Sequence, residues 1–231
     1  MTINLQWLAE KQACGEAVEA FREKYGDREV DYQEVLDALV KINRTDWIRW
    51  LMNVAGSLDV ELKIEGDLIG NEGIAVVGRL VVSGRIEAKF LFAGRGIKAG
   101  EGIKAGEGIK AGRGIKAGWG IKAGSGIKAG EGIEAGSGIK AGRGIKAGEG
   151  IEAGEGIEAG WGIEAGSGIE AGSGIEAGWG IKAGEGIEAG VDYGIYAGLS
   201  LRISLKAQYA VIVAKTMPKN IMLGEFREGQ S

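Results

Sequence analysis

One six-residue phrase, Ala-Gly-x-Gly-Ile-Lys/Glu, is written sixteen times without a gap between Ala93 and Glu188, and no other feature constrains the fold of this chain so tightly. A strict short repeat builds stacked coils, not a globule. Ile97 and Ala99 stand two residues apart, as does every later pair, so in an extended segment both point to one face while Lys98 between them points out. The Gly-x-Gly that follows is the corner. Its glycines allow a positive φ or a tight bend and let successive backbones approach closely. Each phrase reads as one short strand and one turn.

Spacing separates this tract from other glycine-rich chains. Collagen needs glycine at every third position, whereas the intervals here alternate between two and four (Gly94, Gly96, Gly100, Gly102). A flexible linker has no fixed apolar column, yet Ile recurs at every sixth residue from 97 to 187. Each glycine costs roughly 0.5–1 kcal/mol in ordering entropy and each buried Ile returns about 1.5–3 kcal/mol. Stacking, which pairs every amide with the coil above or below, tips that balance toward order.

The formal net charge of −4 is too small to point to nucleic acid or membrane by itself. A single cysteine, Cys14, excludes an internal disulfide, and histidine is absent. A reducing compartment suits this composition, and with no signal-like or membrane-spanning run the expected location is cytoplasmic.

Ahead of the repeat, residues 3–25 have mostly helical spacing, residues 31–42 suggest a second helix capped by Asp31, and a third begins near Thr45 or Asp46 and ends at Ala55-Gly56. This head, residues 1–56, holds seven Lys/Arg against ten Asp/Glu, the wrong sign for phosphate contact. Trp47 and Trp50 are expected to pack the head onto the first coil and block that end, with Cys14 as a core filler. The apolar column is already present in degenerate form at Leu62, Leu68, Ile74, Leu80, Ile86 and Phe92, with a five-residue step from Phe92 to Ile97. Two extra residues after Ala189 suggest a bulge. Leu199, Leu201, Ile203, Leu205 and Ala207 alternate with polar residues as a strand would, a second strand covers Tyr209 to Ala214, Pro218 stops it, and Ile221-Met222-Leu223 is a last apolar piece before a polar end at Arg227–Ser231.

On the outside of the coils, Lys at 98, 104, 110, 116, 122 and 128 precedes Glu134, Lys140 and Lys146, and Glu follows at 152, 158, 164, 170 and 176 before Lys182 and Glu188. Positive residues come early and negative ones late. Two antiparallel chains would set the Lys half of one against the Glu half of the other in an isologous dimer. Among the corner residues, Trp119, Trp161 and Trp179 are candidate interface anchors. Eighteen residues per coil would stack Trp161 on Trp179, and twelve would align Trp119 with Trp179.

The phrase departs from the acyltransferase hexapeptide pattern, because a charged residue follows Ile, and the histidine base of those enzymes has no counterpart here. No Ser/His/Asp set, Cys/His metal cluster or phosphate loop is present, and a Gly-x-Gly that recurs in every phrase says nothing about phosphate. No catalytic, cofactor-binding or metal-binding residue is expected.

The repeated phrase, the segment Asp46-Trp47-Ile48-Arg49-Trp50-Leu51 and the tail Leu199–Gly224 together resemble a group of bacterial and prophage-type repeat proteins with no assigned activity. That resemblance implies a phage or mobile-element role, including inhibition of a host defence complex such as CRISPR by imitation of nucleic acid. A wider resemblance to bactofilins rests on solenoid architecture alone and implies end-to-end assembly, against which a head blocking one end would stand.

The expected fold is therefore mainly β: a β-solenoid over 57–198, degenerate in 62–92 and perfect in 93–188, with three phrases per coil. A helical cap at 1–56 precedes it and a short β cap and tail at 199–231 follow. The expected function is binding, as a self-associating scaffold or as an inhibitor docking on a macromolecular protein target through Glu152, Glu158, Glu164, Glu170 and Glu176. Neither direct nucleic-acid binding nor membrane association is expected.

Overall fold

The computed structural model describes residues 1–201 and 203–229. Every Ile-x-Ala of the perfect tract is a three-residue strand, and in Ile103-Lys104-Ala105 the outer two residues are buried and the middle one exposed. Each strand lies parallel and in register with the strand three phrases later, Ile97 on Ile115 and Ala99 on Ala117. Three phrases thus close one coil. The strands form three sheets of nine, nine and eight, which are the sides of a β-solenoid.

The Ile and Ala columns merge with Val76, Leu80 and Val82 below and Ile212 and Ala214 above into one continuous core. The amides are satisfied between coils: Ile115 N–H donates to the Gly132 carbonyl at 3.0 Å, and at the corner Arg113 N–H donates to the Arg95 carbonyl at 3.1 Å. None of the glycines in the perfect tract takes a left-handed φ. Close approach is what requires them, since a Cβ at Gly112 would stand 2.0 Å from the Gly94 carbonyl oxygen.

The degenerate column runs as expected through Ile86, but the next inward residue is Leu91, which pairs with Ile74 below and Ile109 above. The five-residue step therefore falls before Leu91, at the Lys89-Phe90 corner. A one-residue slip reverses which side chains face the core, so Phe92 points outward. It stacks on Phe90 with centroids 5.0 Å apart, and both rings are buried beneath the head.

The head contains four helices, α1 (Leu5–Glu10), α2 (Gly15–Tyr25), α3 (Tyr32–Lys41) and α4 (Thr45–Ala55). The Asn4 side chain caps α1 by accepting from Trp7 N–H, and Asp31 caps α3 by accepting from Gln33 N–H. Their core is continuous with the outward residues Ala75, Val77, Phe90 and Phe92. The head thus lies against one side of the rod. It also closes one strand edge: Gln33 donates to the Ala75 carbonyl at 2.7 Å and accepts from Val77 N–H at 2.9 Å, taking the place of a neighbouring strand. The other two strands of that end, Glu61–Ile64 and Leu68–Ile69, terminate their sheets, so the head blocks only part of it.

Trp50 meets Trp7 edge-on at 6.4 Å, and Trp47 lies beneath the Arg44 guanidinium at 3.4 Å. Both indoles serve the head itself, while docking falls to α3 and to Arg49 over Phe92. Cys14 is exposed at the start of α2 rather than filling the core.

At the other end, the two extra residues after Ala189 form a turn, and Ile195 still pairs with Ile175. The expected strand over 199–207 is instead a helix, α5 (Ile203–Tyr209). The next slot in the stack, above Ile181, is taken by Val211–Ala214, where Ile212-Val213-Ala214 repeats the Ile-x-Ala phrase and pairs in register. The slot that follows Ile195 in winding order is therefore closed to residues 199–207. Ile221–Leu223 continues a second side, and Glu225–Glu228, which reaches into the expected polar end at Arg227, pairs with Val211–Ala214. Arg202 of the expected strand and the terminal Gln230-Ser231 lie outside the described residues.

Candidate interaction faces

Folding eighteen residues per coil distributes the charges of the repeat over three faces. The first face carries Lys98, Lys116, Glu134, Glu152, Glu170 and Glu188 in one outward column. On the second stand Lys104, Lys122, Lys140, Glu158 and Glu176. The third has Lys110, Lys128, Lys146, Glu164 and Lys182. The expected acidic ladder from Glu152 to Glu176 is therefore not one column. Successive glutamates occupy successive faces and form a band around the rod, because neighbouring phrases turn a corner.

Glu134, out of order along the chain, is in order in space. It stands directly above Lys116 and pairs with it, so each face changes from Lys to Glu at a ladder pair: Lys116–Glu134 on the first, Lys140–Glu158 at 2.5 Å on the second, Lys146–Glu164 at 2.9 Å on the third. Exposed pairs of this kind contribute about 0–1 kcal/mol each. Only the third face reverts, at Lys182. Lys110, half-buried beneath the head, donates to the Asn53 side chain at 3.1 Å. Burial, with repulsion from Lys128 and Arg49, lowers its pKa from the usual lysine value.

The corner residues form a second column beside each face. Between the third and first faces the order is Arg95, Arg113, Glu131, Glu149, Ser167, Glu185; the amides of Arg113, Glu149, Ser167 and Glu185 donate to the corner residue below, and the Arg113 carbonyl accepts from Gly130 N–H. Apart from the neutral Ser167 its signs match those of the adjacent outward column, and Arg113, Glu131 and Glu149 line one trough along the first face with that column. Arg113, Glu131 and Glu149 were not singled out from the sequence; the signal was available, because a corner residue and the charge three positions later in its phrase share a face.

The three tryptophans do not form one group. Trp119, 61 % exposed, stands on the corner between the first and second faces. Trp161 and Trp179 share the corner between the second and third, stacked with centroids 6.1 Å apart and planes inclined by 22°. Arg143 lies over Trp161 at 5.6 Å, and Tyr209 of α5 extends the stack beyond Trp179 at 5.7 Å. At 54 % and 45 % exposed, the two indoles remain available for contact.

No charged side chain is buried among the described residues. No set of three His, Cys, Asp or Glu among them is placed to hold a metal ion, and none of their helices is long and apolar enough to cross a membrane. Comparison of the chain with protein-family models, with curated proteins and with solved structures finds no match.

Proposed function

We propose that this protein is a non-enzymatic rigid rod that acts by binding, and that its partner is a second copy of itself. One observation carries the reading: residues 94–147 hold eleven Lys/Arg against four Glu, residues 148–192 hold one Lys against ten Asp/Glu, and the stack sets these groups at different heights on one body. Two such rods lying antiparallel place unlike charges together along their length. A stiff β-solenoid loses little conformational freedom on pairing, which favours association. The exposed indoles of Trp119, Trp161 and Trp179 supply apolar anchors at the corners. The single cysteine suits work in a reducing cytoplasm.

Mass by light scattering at two ionic strengths tests this. A dimer at low salt that separates near 1 M salt, where the screening length falls to about 3 Å, is the expected result. A monomer at low salt overturns it.

A second reading draws on the acidic band. Glu152, Glu158 and Glu164 follow one another around the rod on three different faces, so the band is negative from every side, as a nucleic-acid duplex is. On this reading the rod occupies the basic nucleic-acid site of a macromolecular target such as a host defence complex. Reversal of Glu152, Glu158, Glu164, Glu170 and Glu176 to Lys would then abolish capture of that target without changing the mass of a monomeric rod. Capture that survives the reversal rejects this reading.

A further inference from the structure

We infer that the copies pair through the first face alone, about a two-fold axis at the height between Lys116 and Glu134. The inference rests on the self-association proposed above and specifies its surface and register. An antiparallel face-to-face dimer has its axis in the interface plane, perpendicular to the rod, so corner column meets corner column and outward column meets outward column. With the axis at the sign change, Lys116 faces the partner's Glu134 and Arg113 its Glu131. One coil out, Lys98 faces Glu152 and Arg95 faces Glu149. One coil further, Val81 comes opposite Glu170, with Arg79 beside the corner at the same height. In these two columns every charged row meets its opposite over the four coils from Arg95 and Lys98 to Glu149 and Glu152.

The other faces fail the same construction. On the third, an axis between Lys146 and Glu164 sets Lys128 against Lys182, and the head covers the lower part of that face. On the second, the outward column matches about an axis between Lys140 and Glu158, but its corner column runs Glu101, Trp119, Ser137, Glu155, Ser173 and sets Glu155 against Ser137 and Trp119 against Ser173, with no basic residue to oppose the carboxylates.

A separate observation agrees with the register. The first face ends in exposed apolar residues at both limits: Val60, 51 % exposed, beside the first coil, and Val191 and Met217, 90 % and 70 % exposed, beside the last. An axis between Lys116 and Glu134 brings the first coil of one copy opposite the last coil of the other. Apolar ends then close on each other around a charged middle, the arrangement that excludes water from both ends of the ion-pair rows.

Zero-length carbodiimide cross-linking of the intact protein, read by mass spectrometry, tests this directly. Lys98 and Glu152 of one chain are three coils apart, about 14 Å along the rod, too far for a direct amide, so a Lys98–Glu152 link reports a contact between chains. That link in the dimer band is the expected result. A dimer linked instead through Lys104 or Lys122, or without any link at Lys98, overturns the face and register while leaving self-association standing; a monomer at low salt overturns both.

Charge reversal supplies a second readout. Lys98→Glu with Lys116→Glu makes the outward column of the first face acidic from 98 to 188, and Glu134→Lys with Glu152→Lys makes it basic from 98 to 152. Each double variant alone loses self-association by about a hundredfold or more, and an equal mixture recovers the dimer mass. The matched pair on the second face, Lys104→Glu with Lys122→Glu, leaves the dimer intact. Failure of the mixture to recover, or loss of the dimer in the second-face control, rejects the register.

Discussion

Gly148 and Gly150 flank one corner and look interchangeable, yet they do different work. A Cβ at Gly148 would stand 2.0 Å from the Gly130 carbonyl oxygen, whereas at Gly150 the nearest atom, the Gly168 carbonyl oxygen, is 3.6 Å away. Gly148→Ala is expected to cost about 1–3 kcal/mol or more in urea unfolding through overpacking against backbone. Gly150→Ala is expected to be neutral or to gain about 0.4–1 kcal/mol by restricting the unfolded chain. Both glycines were legible as corner residues, but the choice between positive φ and close approach was not, since either demand selects the same residue. Leu91 and Phe92 carry the same lesson: two adjacent apolar residues fit a column equally well, and only the head that covers Phe92 decides which of them points out. Tyr32 offers a pH test. It is fully buried, its hydroxyl donates to the Gly56 carbonyl at 3.2 Å, and burial raises its pKa well above the usual tyrosine value. The neutral hydroxyl's contribution to stability is complete below the unfolded value near 10 and falls as pH climbs past it. Melting temperature should therefore drop in strong alkali, and Tyr32→Phe should remove part of that drop.

The junction between helices and coils rests on a side chain acting as a strand. Gln33 satisfies both a carbonyl and an amide of buried edge residues, so Gln33→Ala leaves two backbone groups unpaired at Ala75 and Val77. A loss of about 1–3 kcal/mol in thermal unfolding is expected, with faster hydrogen exchange at the Val77 amide. Helices α2 to α4 were legible from periodicity and capping residues, because local pattern and final structure agree there. The alternation from Leu199 to Ala207 misled for a physical reason: a strand needs a neighbour, and the neighbour above Ile181 is claimed by Ile212-Val213-Ala214. Phrase number sets face alignment. Deleting residues 112–129 removes one coil and returns every later residue to its own face, so circular dichroism should persist. Deleting residues 112–117 turns everything beyond by one face; the stack should still form, but the charged rows break and the dimer should be lost.

For the whole rod, the balance of charge matters less than its order. A formal net charge of −4 conceals a basic half and an acidic half, and the linear sequence reveals that polarity but not its partition among three sides. The expected Lys98 to Lys128 and Glu152 to Glu176 groups are real at the level of height and dissolve at the level of face. Coil size decides that partition, and the register of Ile97 on Ile115 gives the expected three phrases per coil. Sedimentation velocity should register the elongated particle directly, and the salt series should move it between two masses without changing its secondary structure.

Sixteen consecutive copies of one phrase can be lengthened or shortened by whole copies without altering the phrase itself. Because three phrases close a coil, gain or loss of three copies changes only length, by about 4.8 Å, while gain or loss of one or two scrambles every surface beyond the event. A rod longer or shorter by a multiple of three copies keeps its faces, and any other carries its charged columns on different sides beyond the event.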